Sequence, residues 1–328
     1  MSRAKKLIMI DPFITVIIDT FNYGRFIGEA IDSVLGQDYP MEWVQVVVID
    51  DGSTDDTAHR LVRYEARIEY YRKPNGGQAS ALNHGFEKAR GEIVALLDAD
   101  DYWFPGKLRR LREEFARDCE IGFVSHPLSE IDTGTGPSRD TPCGFVSGYL
   151  PNDLSSFLNY RVSPTSALAF RKAFLERMLP IPEQFRLQAD LYLALLAVFI
   201  GKTVVIPESL GVHRLHGDNL YSRRGTAQNT EQAKRDLAMR RQIIEVTREW
   251  LEGREFDTST REIDMFYRQL MIFLCTDEFQ IEPPGRIRFF KHLLECNRVY
   301  GSLGNWKLRA INYAKAFLSL ATGRGRWQ

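Results

Sequence analysis

The sequence predicts an α/β fold, with a mostly parallel central sheet flanked by helices and a separate helical region toward the C-terminal end. Two observations carry this expectation. Up to about residue 100, fully apolar β-branched runs alternate with stretches of helical periodicity, and beyond roughly residue 226 the strand-like runs stop. Apolar runs between helices belong to strands covered on both faces, which is the situation inside a parallel sheet.

Taken in order, ITVIID (14–19) reads as a strand, RFIGEAIDSVL (25–35) as a helix and VQVVVID (44–50) as a second strand, with another helical stretch after Ser53. IEYY (68–71), a helix from Gln78 to Arg90, and IVALL (93–97) continue the alternation. From 121 to about 220 the segments shorten: GFVSH, the Gly/Pro-rich IDTGTGPSRDTPCG, SALAF, a buried-looking helix at 190–200, and TVVIP. Three or more helical stretches follow residue 226, with breaks near Gly253, Pro283-Pro284 and Gly301 to Gly304. The expected division is 1–225, made of a 1–110 half and a 111–225 half, followed by a helical region 226–328.

The chain has 328 residues, 44% hydrophobic and 26% charged, ordinary values for a globular protein with a sizeable core. Lys plus Arg and Asp plus Glu are equal at 43 each, so nothing in the net charge argues for nucleic acid as the main partner, and none is expected. The balance is uneven: residues 281–328 carry nine Lys/Arg against Glu282 and Glu295, a net +7 that leaves −7 for residues 1–280. RIRFFKHLLECNRVYG and WKLRAINYAKAFLSLATGRGRW mix these basic residues with large apolar ones. Such helices are expected either to lie peripherally against a membrane at its inner face, or to pack on the first domain or on a second copy in a homo-oligomer. Cys119, Cys143, Cys275 and Cys296 form no C-x-x-C pair, so a cytoplasmic setting is expected rather than a zinc site or a disulfide framework. The longest strongly apolar run, LYLALLAVFI (191–200), is too short to span a bilayer.

The strand ends are acidic. They read Asp19-Thr20-Phe21-Asn22, Asp50-Asp51-Gly52-Ser53 and Asp98-Ala99-Asp100-Asp101. Ligands of open α/β sheets bind beyond the carboxyl ends of the strands, so these three segments are expected to converge on one crevice. Each could be a simple helix cap or turn. Together, so many carboxylates call for a hard divalent cation, Mg²⁺ or Mn²⁺, to offset their repulsion.

These residues also carry a resemblance. TVIIDTFNYGRFIGEAIDSVLGQDYP, VVVIDDGSTDDT and KPNGGQASALNHGFEKARGEIVALLDADDYWFPGKL resemble the family 2 glycosyltransferases. The likeness continues through PTSALAFRK (164–172), ADLYLALL (189–196) and GVHRLHGDN (211–219), about the first 220 residues. It implies the GT-A type of nucleotide-diphospho-sugar transferase fold and an inverting, hexosyltransferase-type reaction. The implied donor is a nucleotide sugar, a UDP-sugar first, and the implied acceptor a hydroxyl group, as in polysaccharide or surface-glycan synthesis.

The resemblance assigns roles to individual residues. Thr20 and Asp51 would hold the donor base, a carboxylate being suited to an imide N–H. Asn75, Gly76, Gly77 and Gln78 would form a loop that approaches the nucleoside closely, although a plain glycine turn before a helix would read the same way. Asp98 and Asp100 make the Asp-x-Asp pair for ribose and metal, with Asp101 taken as a helix cap. Asp190 stands where the family places its general base. The family's acidic pair is here Leu187-Gln188-Ala189-Asp190, so Asp190 alone can serve, or it caps its helix. Arg214 would hold phosphate oxygens and His216, with His213 beside it, would reach metal or phosphate.

No G-x-G-x-x-G or G-x-x-x-x-G-K-[ST] follows any strand, which sets aside dinucleotide enzymes and P-loop NTPases. A sugar-phosphate nucleotidyltransferase would need a Gly-rich loop where DTFNYGRF stands. A non-catalytic nucleotide-sugar binding protein is the other alternative, kept open by the Leu187-Gln188 departure.

Overall fold

The computed structural model describes residues 13–134, 136–140, 147–148, 163–217, 228–254 and 261–281, with single positions between 288 and 295. Its first compact unit comprises 1–147 with 161–216, and its second 148–160 with 217–328.

The first unit is built on a seven-stranded sheet. β1 (Ile14–Thr20) is an interior strand, third from the β3 edge, and its Ile14, Val16, Ile17 and Ile18 are fully buried. It pairs in parallel with β2 (Val44–Asp50) on one side and β4 (Ile93–Asp98) on the other, and β3 (Glu69–Arg72) extends the parallel run beyond β2. Beyond β4 comes β9 (Ala169–Arg171), antiparallel to both β4 and β6 (Ile121–Ser125), and then β10 (Lys202–Val205), parallel to β6. The mostly parallel sheet expected from the apolar runs is present, with one reversed strand supplied by SALAF.

The helices pack by their apolar stripes. α1 (Gly24–Leu35) buries Ile27, Ala30, Ile31 and Val34, one face at helical spacing. α4 (Lys107–Arg117) does the same with Leu108, Leu111 and Phe115. α2 (Thr57–Leu61) and α5 (Lys172–Leu175) are short connectors. α3 (Gln78–Lys88) presents Gly85 to β1, where an added Cβ would come within 2.7 Å of Ile17 Cγ2, so the glycine sets how closely helix and sheet approach. α6 (Ala189–Ile200) has every position from Tyr192 to Ile200 buried, which explains why its sequence lacks a polar face.

A second, four-stranded sheet has the order β5-β11-β7-β8. Its strands are β5 (Tyr102–Trp103), β11 (Gly211–Leu215), β7 (Ser129–Asp132) and β8 (Gly136–Asp140). The Gly/Pro-rich stretch supplies the end of β7 and all of β8, a hairpin whose pairing is not visible in a local pattern. β4 ends at Asp98 and β5 begins at Tyr102, so the acidic segment 98–101 is the crossing between the two sheets.

In the second unit α7 (Gln228–Glu252) and α8 (Arg261–Ile281) pack together through buried residues including Ile243, Leu251, Phe266 and Tyr267. The basic segments expected to contact a membrane or a second copy lie outside the described residues, apart from a few positions up to 295. Among the described residues no helix is long and apolar enough to cross a membrane.

Leu196→Ala, at a fully buried position of α6, should cost about 2–5 kcal/mol through lost burial and the cavity left behind. Urea unfolding measures it: a lower midpoint at unchanged slope is expected, and an unchanged midpoint would show that α6 is not packed as described.

Candidate functional site

The register brings the strand ends level. Thr20 lies opposite Asp50 and Asp19 opposite Asp98, so three acidic ends open on one side of the sheet. Asp50 is occupied structurally: its carboxylate accepts from Ser53 N at 2.7 Å and from the Tyr70 hydroxyl at 2.8 Å, with Arg72 Nε 3.7 Å away. Asn22, at φ 59°, ties the loop after β1 to that after β2 by accepting from Thr54 N at 2.7 Å. Thr20 Oγ1 is buried without a hydrogen-bond partner, and Phe21 beside it is 41% exposed.

Asp51 organises the loop that follows β3. Its Oδ1 accepts from Gly76 N at 2.9 Å and Lys73 Nζ at 2.8 Å, and its Oδ2 from Gly77 N at 2.7 Å. Gly77 has φ 87°, and an added Cβ would lie 2.6 Å from Arg186 Cα. The tight approach that makes this glycine necessary is therefore to the 185–189 segment of the chain itself. Gln78 belongs to the same contact: its N–H donates to Arg186 O at 2.8 Å, its Oε1 accepts from Ala189 N at 3.1 Å and its Nε2 donates to Thr165 Oγ1 at 3.2 Å. Asn75 Oδ1 accepts from the Arg186 guanidinium.

Asp190 lies in the first turn of α6, whose N-cap position is taken by Gln188 at φ 63°. One carboxylate oxygen accepts from Leu191 N at 2.8 Å and the other from the Thr165 hydroxyl at 3.3 Å. Its charge is felt by both Asp19 and Asp98, so the structure gathers Asp190 with the strand-end acids.

The 98–101 crossing is the centre of the site. Ligand oxygens of Asp98, Asp100 and Asp101 lie within 4.8 Å of one another. His216 Nε2 is 3.0 Å from Asp100 Oδ2, and its ring packs at a tilt of 33° against Phe26, 4.6 Å between centroids. Asp101, expected as a helix cap, is not one: α4 begins at Lys107 after Gly106, and the Asp101 carboxylate instead accepts from Arg214 N at 2.9 Å and the Ser166 hydroxyl at 2.5 Å, with His213 Nδ1 at 3.4 Å. Antiparallel pairing of β11 with β5 is what brings Arg214 and His213 there. The Arg214 side chain pairs with Glu29 at 2.7 Å and lies over Phe26 and Tyr102.

Burial and mutual repulsion shape the protonation. Burial, with Asp100, Asp190 and Asp51 adding to it, pushes Asp19 up to about 7, and its Oδ1 has no hydrogen-bond partner. Burial and the neighbouring Asp19 and Asp101 raise Asp98 well above the carboxylate range, and burial raises Asp100 against the pull of His216. Burial opposes protonation of His213, but the carboxylates of Asp101, Asp100 and Glu130 together outweigh it and push the ring up to about 9. An orphaned carboxylate oxygen among like charges, with oxygen donors and one imidazole converging, fits a hard divalent cation. Asp98, Asp100 and His216 would hold it.

Of the residues singled out from sequence, Asp98, Asp100, His216 and Asp190 come together, Thr20 and Asp51 flank them, Gly76, Gly77 and Gln78 reach them through Asp51 and Thr165, and Asn75 bonds Arg186 instead. Thr165 and Ser166 were not singled out. Their sequence signal is a hydroxyl pair directly before the apolar run 167–170.

A model of the family described as Glycosyl transferase family 2 matches residues 15–179. An uncharacterized glycosyltransferase of Nostoc sp. is 35% identical over 249 residues, 73% of this chain and 74% of that protein. The putative teichuronic acid biosynthesis glycosyltransferase TuaG of Bacillus subtilis is 36% identical over 126 residues, 37% of this chain and 49% of that protein. Residues 1–349 of S. aureus TarS, crystallised in complex with UDP-GlcNAc, share the fold with a TM-score of 0.66 at 19% identity, over 95% of this chain and 92% of that one.

A raised carboxyl pKa means that the folded state keeps its proton longer than the unfolded chain, so the Asp19 contribution to stability falls as pH rises from 3.8 through about 7. The raised His213 acts in the same direction at higher pH: its contribution is full below 6.5 and lost as pH rises through about 9. In chelator, the melting temperature should therefore decline across this range, and Asp19→Asn should flatten the acidic part of the decline. Parallel curves for variant and wild type would contradict the assigned burial of Asp19.

Proposed function

The chain belongs to glycosyl transferase family 2 and is a glycosyltransferase of the GT-A fold, and we propose that it moves a sugar from a uridine diphosphate donor to an acceptor hydroxyl with inversion at the anomeric carbon. The observation that carries this reading is the gathering beyond the carboxyl ends of the strands of two acidic groups suited to different tasks: Asp98 and Asp100 with His216, and Asp190 at the start of α6, whose charge reaches Asp98.

On the donor side, an ionised carboxylate offers about four acceptor positions. Lys73, Gly76 and Gly77 use three of those of Asp51, which leaves room on Oδ2 for the imide N–H of uracil. The unpartnered hydroxyl of Thr20 and the exposed ring of Phe21 stand beside it, one able to hydrogen-bond the base and the other to cover its face. The UDP-GlcNAc bound by TarS supports a uridine nucleotide.

A divalent cation, Mg²⁺ or Mn²⁺, held by Asp98, Asp100 and His216 would supply neutralisation of the diphosphate as it leaves. Asp190 takes the proton of the acceptor hydroxyl. The acceptor oxygen bonds to the anomeric carbon from the face opposite the diphosphate, the bond from that carbon to phosphate breaks, and UDP departs with the electron pair. One displacement with one base inverts the configuration and requires no enzyme nucleophile. A glycan acceptor in surface-polysaccharide assembly is supported by the likeness to TuaG. The nine Lys/Arg after residue 281 support peripheral contact with an anionic membrane.

Asp190→Asn should lower kcat by about 10² to 10⁴ while UDP still binds in calorimetry. Near-normal turnover, or NMR showing a product that keeps the donor's anomeric configuration, would overturn the base assignment. Asp100→Asn should abolish most activity with an unchanged circular dichroism spectrum. Full activity in excess chelator would refute the metal.

A further inference from the structure

We infer that the Thr165-Ser166 pair is the positioning element that sets the leaving-group carboxylates and the base carboxylate at their working separation, an assignment that rests on the transferase reading above. The two residues sit in one turn after Pro164, and each sends its hydroxyl to a different arm of the site.

Ser166 serves the metal side. Its Oγ accepts from Asp98 N at 3.0 Å and donates to Asp101 Oδ2 at 2.5 Å. A hydroxyl has a single proton, so both bonds hold together only in this direction. Asp98 at one end of the crossing and Asp101 at the other are thereby fixed to one atom. The carbonyl of Ser166 is held in turn, accepting from Trp103 Nε1 at 2.9 Å and from Lys107 Nζ at 2.6 Å, and the residue is fully buried. Lys107 Nζ also lies 3.7 Å from the centre of the Trp103 ring.

Thr165 serves the base side. Its Oγ1 accepts from Gln78 Nε2 at 3.2 Å, which directs its one proton to Asp190 Oδ2 at 3.3 Å. The other Asp190 oxygen is engaged by Leu191 N, so the hydroxyl of Thr165 selects the carboxylate rotamer. Adjacent Cα atoms are held about 3.8 Å apart by a trans peptide. A single buried peptide unit therefore spans the two arms, and neither can shift without the other.

The roles separate in measurement. Thr165→Val keeps shape and removes the hydroxyl: kcat should fall about tenfold, with donor KM and Mn²⁺ affinity unchanged, and Thr165→Ser should restore most of the loss. Ser166→Ala should weaken Mn²⁺ binding in the presence of UDP about tenfold, read from free Mn²⁺ by electron paramagnetic resonance, with a smaller loss of kcat at saturating Mn²⁺. If Ser166→Ala does not fold, Ser166→Cys replaces it. Unchanged kcat in Thr165→Val, or equal losses of kcat and Mn²⁺ affinity in both variants that track their melting temperatures, would overturn the assignment. Wild-type protein that binds no UDP with Mn²⁺ would overturn the transferase reading and this one together, whereas normal wild-type binding with both variants unaffected would overturn this one alone.

Discussion

The buried carboxylate of Asp101 is the constraint on which the site depends. A charge taken out of water costs several kcal/mol unless its oxygens are met by donors. Here the Arg214 amide and the Ser166 hydroxyl bond to it, His213 lies 3.4 Å away, and Lys107 faces it from α4. Burial holds the Lys107 amine well below its ordinary range against the attraction of Asp101. Because Asp101 directly follows Asp100 and precedes β5, satisfying it also fixes the Asp-x-Asp pair and joins the two sheets at the proposed reaction centre.

Around that anchor the molecule tolerates a crowd of like charges. Asp19 and Asp98 repel each other and are each repelled by Asp100 and Asp190, and the sheet register holds Asp19 opposite Asp98. Burial, with this repulsion added, raises the carboxyl pKa values of Asp19, Asp98 and Asp100. A cation that binds there stabilises the fold and readies the site in one event.

The glycine loop gives a different lesson. Gly76 and Gly77 donate their amides to Asp51, and Gly77 lies so close to Arg186 that a Cβ would clash with backbone. Gln78 then holds Ala189 and Thr165. The loop acts as a strut from the strand that would bind the base to the helix that carries Asp190, so donor and acceptor sides share one mechanical connection.

The alternation of strands and helices, the acidic strand ends and the family resemblance were legible in the chain because each rests on local order: periodicity of two or 3.6, apolar runs, and motif spacing. The partners of the acids were not. Asp101 meets Ser166 and Arg214 across 65 and 113 positions, and Gln78 meets Ala189 across 111. Such contacts depend on which strands become neighbours, as when β9 inserts antiparallel beside β4 and β11 pairs with β5. Local patterns state that a residue is polar or that a glycine is required. Only the packed structure decides what that residue must face, because hydrogen-bond satisfaction of a buried group is settled by whatever the fold brings within about 3 Å of it.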